Sequence, residues 1–301
     1  MGKVNYAAID IGSNAVRLLI KSVDEERPDE LFTKELLLRV PLRLGQDAFT
    51  TGEISALKEK KLVRLIKAFR QLMKIYEVED YRACATSAMR DARNSKAIIR
   101  KIGKKTGIRV DILSGKEEAC MVYNNHIENL LDKERNYIYV DVGGGSTEVI
   151  LISRGEMVSS QSYNIGTVRM LNGAVDEEEV NAMRRDIAAV TEKYTDLIII
   201  GSGGNINKLF RLADQKDKKT VMLPVEILRD LYEILKKYEP EERRKLFRLK
   251  PDRAEVIVPA AAIFLDVAEQ SRSTLIWVPT IGLSDGIIDS LYTKHLEKKN
   301  K

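Results

Sequence analysis

The chain has 301 residues, 44% of them apolar and 32% charged, so it can bury a sizeable core, and its length favours two domains over one. Its net charge of +5 suits a polyanionic ligand. With only two histidines, His126 and His295, a multi-histidine metallophosphatase centre is excluded and a Ser-His-Asp triad would need one of this pair.

No apolar stretch approaches the roughly 18 residues of a membrane span, and the N-terminus reaches Asp10 without a signal-peptide pattern, so a cytoplasmic protein is expected. Cys84 and Cys120 lack metal-ligand spacing and read as small core residues. Basic clusters sit mostly beside acids on helical faces, without the interleaved aromatics that stack bases, so neither nucleic acid nor a membrane is an expected partner.

In chain order, the hydrophobic period predicts strands over Val4 to Ile9, Val16 to Val23, Glu35 to Val40 and Tyr81 to Ala85. A helix over Glu53 to Tyr76 separates the last two, with Leu57, Leu62, Leu65, Ile66, Phe69, Leu72 and Met73 on one face. A helix over Asn94 to Thr106 and a strand over Val110 to Leu113 complete a first α/β unit. After a helix from Ser114 to about Leu131, the order restarts with strands over Tyr137 to Val142, Glu148 to Ile152 and Met157 to Tyr163. A helix over Glu177 to Tyr194, a short strand over Leu197 to Ile200 and a helix over Gly204 to Leu212 follow. From Pro224 onward the pattern is helical, broken by Leu275 to Val278. The expected division is an α/β domain over residues 1–123 and a second over 124–301, with a final helix at about 285–301 that packs back on the first. Duplicated α/β units without a flexible linker suggest a cleft between lobes as the ligand site.

The chemistry concentrates in a loop that occurs twice. Asp10-Ile11-Gly12-Ser13-Asn14 and Asp141-Val142-Gly143-Gly144-Gly145-Ser146-Thr147 each follow an apolar strand and lead into another. A strand that ends in Asp and turns on small residues offers a polyphosphate backbone N–H groups, with a carboxylate placed for a metal. Ser114-Gly115-Lys116-Glu117 has the form of a capping box, which explains Glu117 and leaves Glu118 without a structural duty.

These loops, with Ala85-Thr-Ser-Ala-Met-Arg-Asp-Ala-Arg-Asn94, Leu113-Ser-Gly-Lys-Glu-Glu-Ala119 and Gly201-Ser-Gly-Gly204, resemble the successive motifs of the exopolyphosphatase and guanosine pentaphosphate phosphohydrolase (Ppx/GppA) family, in family order over about residues 5 to 290. The resemblance implies an α/β fold of two ribonuclease-H-like domains of the actin-like ATPase type with an interdomain cleft. It implies Mg²⁺ held by Asp10 and Asp141, and Glu118 as the general base that orients or deprotonates the attacking water. Phosphate contacts would come from Gly12, Ser13, Asn14, Arg90, Gly143, Gly144, Gly145, Ser146, Thr147 and Gly203. Arg17 is either a ligand contact or a fold-stabilising partner of a nearby acid, and Arg169 contacts the phosphate chain or a metal-bound acid. A homodimer is also implied.

The implied activity is Mg²⁺-dependent release of the terminal phosphate from inorganic polyphosphate, or of the 5′-γ-phosphate from guanosine pentaphosphate. Two readings stand beside it: a kinase of the same superfamily, and a sensor that binds polyphosphate or guanosine tetra- or pentaphosphate without turnover. The sequence departs from the family where members read Gly-Leu-Arg-Glu-Gly, taken here as Gly286 to Ser290, and where a Thr-Glu pair is replaced by Asn172-Gly173. The C-terminal helical domain of long members is not expected after Tyr292.

Overall fold

The computed structural model describes residues 3–27, 30–123, 131–214, 216–279 and 282–299. The chain divides into two compact units, one of Met1–His126 with Leu283–Lys301 and one of Ile127–Gly282. Among the described residues no helix is long and apolar enough to cross a membrane.

In the first unit β1 (Val4–Ile11), β2 (Val16–Val23) and β3 (Phe32–Val40) form an antiparallel meander. Helices α1 (Leu44–Thr51) and α2 (Ala56–Ile75) lead to β4 (Val78–Ala85), which lies parallel to β1. Then come α3 (Ser87–Asp91), α4 (Ser95–Thr106), β5 (Asp111–Ile112) and α5 (Gly115–Tyr123), giving the sheet order β3-β2-β1-β4-β5. Ala7, Ala8, Ile9 and Ile11 of β1 are wholly buried because this central strand is covered on both faces, which is why it reads as a continuous apolar run. The α2 helix begins where Ser55 accepts a 3.4 Å bond from Lys58 N–H, three residues inside the expected start at Glu53.

The second unit repeats this order. Its meander is β6 (Asn136–Val142), β7 (Thr147–Ser153) and β8 (Glu156–Tyr163). After α6 (Thr167–Leu171) and α7 (Glu177–Thr191), β9 (Ile198–Ser202) lies parallel to β6, as β4 does to β1. Next come α8 (Gly204–Leu212), β10 (Met222–Pro224), α9 (Val225–Lys236), α10 (Pro240–Leu246), α11 (Pro251–Ser271) and β11 (Leu275–Trp277), giving the order β10-β11-β9-β6-β7-β8. The long α11 packs against α7, α8 and α9, and through Phe264 and Ile257 forms the middle of this unit's core.

The last helix, α12 (Leu283–Lys299), packs in the first unit on β1, β2 and β4 and beside α5. Tyr292 meets Phe32 and Tyr6 edge to face, and Lys21 on β2 pairs with Asp285 at 2.6 Å. Of the helix expected over Ser114 to Leu131, only α5 is observed, and residues 124–130 lie outside the described residues. Cys84 is buried, whereas Cys120 on α5 is half-buried, because a nine-residue surface helix turns only part of its circumference inward.

Candidate active site

Both Asp-tipped loops are built by the same hydrogen bond. Gly12 N–H donates to Ala15 O at 3.2 Å, and Gly143 N–H donates to Ser146 O at 2.9 Å. These two amides therefore close the turns, and the N–H groups of the half-buried Asn14 and Gly144 have no backbone acceptor among the described residues. Asn14 Oδ1 is also buried without a hydrogen-bond donor, an arrangement that costs about 1–3 kcal/mol unless a ligand or water supplies one.

The first loop is tied down from two sides. Gly45 N–H donates to Ser13 O at 2.8 Å and Arg43 N–H to Asn14 O at 2.9 Å, at the start of α1. The Ser13 hydroxyl, 2% exposed, lies 2.8 Å from Ser87 Oγ and accepts from Ala88 N–H at 3.1 Å, which fixes the loop to the start of α3. Asp10 is 2% exposed and accepts a 2.6 Å bond from Arg17 Nη1, its opposite residue in the β1–β2 ladder. Of the two expectations for Arg17, this is the pairing with an acid.

In the same unit Arg90 and Glu118 come together. Arg90 Nη1 donates to Leu113 O at 3.0 Å and stands 3.6 Å from Glu118 Oε2, with side chains 25% and 13% exposed. A guanidinium has five donors, so this arginine retains N–H groups for a phosphate. Glu117 is occupied as expected: its Oε2 accepts from Ser114 N–H at 2.8 Å and from Ser114 Oγ at 2.7 Å, while Ser114 Oγ accepts from Glu117 N–H at 3.2 Å. These bonds hold the Glu117 carboxyl below the ordinary carboxylate range.

The second loop is braced by the segment that follows β8. Gly144 O accepts from Val168 N–H and Arg169 N–H at 2.8 and 3.0 Å, and Arg169 Nε donates to Gly145 O at 2.8 Å. These bonds draw the loop carbonyls toward α6. Gly166 makes the approach possible, since a Cβ there would collide with Gly144 and Gly145 backbone. Thr147 is wholly buried and its hydroxyl donates to Ile165 O at 2.5 Å, so it holds the fold while Ser146 sits buried beside it. Asp141 lies opposite Glu148 across the β6–β7 ladder and beside Ser202 of β9. Gly203 opens α8 at φ +99°, a backbone conformation that favours glycine, and a side chain there would stand 3.0 Å from Asp141 Oδ1.

Glu148 is the functional candidate that sequence reasoning passed over. It is 2% exposed, accepts from Ser162 Oγ at 2.9 Å, and occupies the place in the second loop that Arg17 occupies in the first, seven residues after the aspartate. Opposed residues of an antiparallel ladder point to the same face, so the second loop carries two carboxylates where the first carries an ion pair. A divalent cation fits a hard, doubly anionic oxygen set better than an aspartate already neutralised by arginine. Among the described residues no group of three such ligands stands close enough to form a closed metal site.

The departure expected at Gly286 to Ser290 is also re-registered. The order Gly-Leu-x-acid-Gly stands four residues earlier, at Gly282-Leu283-Ser284-Asp285-Gly286, with Ser284 for the arginine and Asp285 for the glutamate. Leu283 is buried and Asp285 pairs with Lys21, so this segment seats α12 on the first sheet.

Two repeated meander units, each with a short aspartate-tipped turn, make an α/β fold of the actin-like type. The chain belongs to the Ppx/GppA phosphatase family, whose model matches residues 23–295. It is 27% identical to exopolyphosphatase 2 of Mycobacterium tuberculosis over 296 residues, 90% of this chain and 92% of that one. It is 26% identical to the guanosine-5′-triphosphate,3′-diphosphate pyrophosphatase of Aliivibrio fischeri, covering 95% of this chain and 60% of that protein. It is also 34% identical to a bifunctional 3-dehydroquinate synthase/phosphatase of Fusobacterium nucleatum over 171 residues, of which it spans 25%. The crystal structure of the Aquifex aeolicus Ppx/GppA family member aligns with a TM-score of 0.75 at 25% identity, over 98% of this chain and 99% of that one.

Proposed function

We propose that the chain is a Mg²⁺-dependent phosphohydrolase that releases the terminal phosphate of inorganic polyphosphate, the 5′-γ-phosphate of guanosine pentaphosphate, or both. The observation that carries this reading is the aspartate-tipped turn built twice by the same hydrogen bond, with Glu118 held beside Arg90 in one of the two units. Water adds to the terminal phosphorus, the bridging P–O bond breaks, and the shortened anhydride leaves. Glu118 accepts the proton of the water, and a positioned carboxylate of this kind is worth about 10²–10⁴ in rate. Arg90 and the Asn14 and Gly144 amides hold the phosphoryl oxygens, where donors are most effective against charge that develops in the transition state. Asp141 and Glu148 in the second unit, and Asp10 in the first, are the carboxylates that would serve Mg²⁺, which when bound would neutralise the anhydride oxygens. Arg169 and Thr147 act indirectly, by keeping the second loop in shape.

A homodimer is part of the same proposal, and sedimentation of the purified chain checks it. The activity is tested by phosphate release from each substrate with Mg²⁺ and no added acceptor. Release without acceptor supports the hydrolase; transfer only when an acceptor is supplied supports the kinase reading, and binding without release supports the sensor.

A further inference from the structure

The positive charge of this chain is concentrated on two neighbouring helices. Within α2 lie Lys58, Lys60, Lys61, Arg64, Lys67, Arg70 and Lys74 against the single acid Glu59, and within α4 lie Lys96, Arg100, Lys101, Lys104 and Lys105 against none. Twelve cations against one carboxylate make a net +11, whereas the whole chain is +5, so the remaining residues are net −6. The two helices pack side by side on the first unit. Their apolar residues, Leu62, Ile66, Phe69 and Met73 on α2 and Ile98 and Ile102 on α4, are buried, which turns the basic residues outward.

Lys60, Arg64, Lys67 and Lys74 follow one another at helical spacing as a single exposed stripe of about 21 Å. On α4, Arg100 and Lys104 make a second exposed row. Lys58 pairs with Asp47 and Lys101 with Glu59, while the other ten cations have no ion pair among the described residues. Like charges at this spacing repel one another along a helix, and an ordinary solvated face relieves that with interleaved acids, of which these two helices supply only Glu59.

We infer that the outer face of α2 and α4 binds the distal part of a long polyphosphate chain, apart from the loops that hold its reacting end. The inference rests on the proposed function for the identity of the anion. Charge complementarity selects a flexible polyanion, and the surface lacks the features that other polyanions need. Phe69 is the one aromatic residue of the two helices and is buried, so no platform exists for stacking bases. Leu57 and Ile75 are exposed but stand at opposite ends of α2, about 27 Å apart, too far to form an apolar strip for a bilayer. The face also lies close to the catalytic residues in the chain: α4 starts at Ser95, five residues after Arg90.

The test combines Arg64→Glu, Lys67→Glu, Arg100→Glu and Lys104→Glu in the full chain and measures direct binding of labelled long-chain polyphosphate by anisotropy, beside hydrolysis of long-chain polyphosphate and of tripolyphosphate. Affinity for the long chain is expected to fall about a hundredfold, with a shallower salt dependence, and KM for the long chain to rise at constant kcat, while tripolyphosphate hydrolysis is unchanged. Equal affinity in the folded variant overturns the inference and leaves the proposed function standing. Wild-type binding lost in the variant, with no hydrolysis of either substrate by the wild type, overturns the proposed function and leaves the inference standing. Competition by DNA of equal charge, or capture by anionic vesicles at the same affinity and through the same residues, overturns the choice of polyphosphate. If charge reversal impairs folding, the corresponding glutamine substitutions are read in the same way.

Discussion

Arg17 Nη1 donates to Asp10 Oδ2 at 2.6 Å, and the two residues stand opposite each other across the β1–β2 ladder. The aspartate is almost wholly buried, so the guanidinium offsets the cost of taking its carboxylate oxygens out of water. Arg17→Gln is expected to destabilise the chain by about 2 kcal/mol, with Mg²⁺ recovering more stability in the variant than in the wild type. Denaturant unfolding with and without Mg²⁺ measures both effects. An unchanged midpoint would show that Asp10 does not depend on this partner.

The second loop reverses the charge at that position. On the proposed function, cation binding rests more on the second loop, where Glu148 stands opposite Asp141, than on the first. Glu148→Gln is therefore expected to raise the Mg²⁺ concentration for half-maximal activity about tenfold or more, and Asp10→Asn to raise it less. Titration of activity with Mg²⁺ in the two variants tests the order.

The repeat itself could be read from residues, because β1 and β6 are apolar runs that stop at an aspartate and a cluster of small residues. What each loop amide does could not. Gly12 and Gly143 N–H close turns on residues three positions on, while the Asn14 and Gly144 N–H groups have no backbone acceptor among the described residues. Thr147 and Ser13 belong to the motifs, yet their hydroxyls are used within the fold, by Ile165 O and by α3. The helices α3 and α6 escaped notice because five residues display no period. Glu148 was hidden in a strand-forming stretch, where its burial and its facing aspartate depend on ladder register.

Asp47 supplies a pH-dependent contribution near α2. Burial alone would raise its pKa, but bonds from Lys58 and from Ser55 N–H outweigh it and hold the carboxyl below its ordinary 3.8. A depressed folded pKa means stabilisation that is complete above the unfolded value and lost as pH falls through the folded one. Asp47→Asn is expected to cost about 1–2 kcal/mol at neutral pH, with the difference from wild type shrinking below about pH 4. Unfolding at several pH values checks the convergence.

The two thiols should differ in reactivity. Burial pushes the Cys84 thiol up to about 12, and Cys120 is half-buried on α5. At about pH 8 iodoacetamide is expected to modify Cys120 in the native chain and to spare Cys84, as read by peptide mass. Prompt labelling of Cys84 would contradict its placement at the centre of the first sheet.

Glu117 and Glu118 are adjacent and differently engaged: one caps α5 and the other stands beside Arg90. The most direct measurement compares phosphate release by Glu118→Gln and Glu117→Gln with Mg²⁺ on long-chain polyphosphate and guanosine pentaphosphate. Glu118→Gln is expected to lower kcat by about 10²–10⁴ with KM and Tm unchanged, while Glu117→Gln retains wild-type kcat. Wild-type turnover in Glu118→Gln, or equal losses in both variants, would contradict the assignment of Glu118 as the general base.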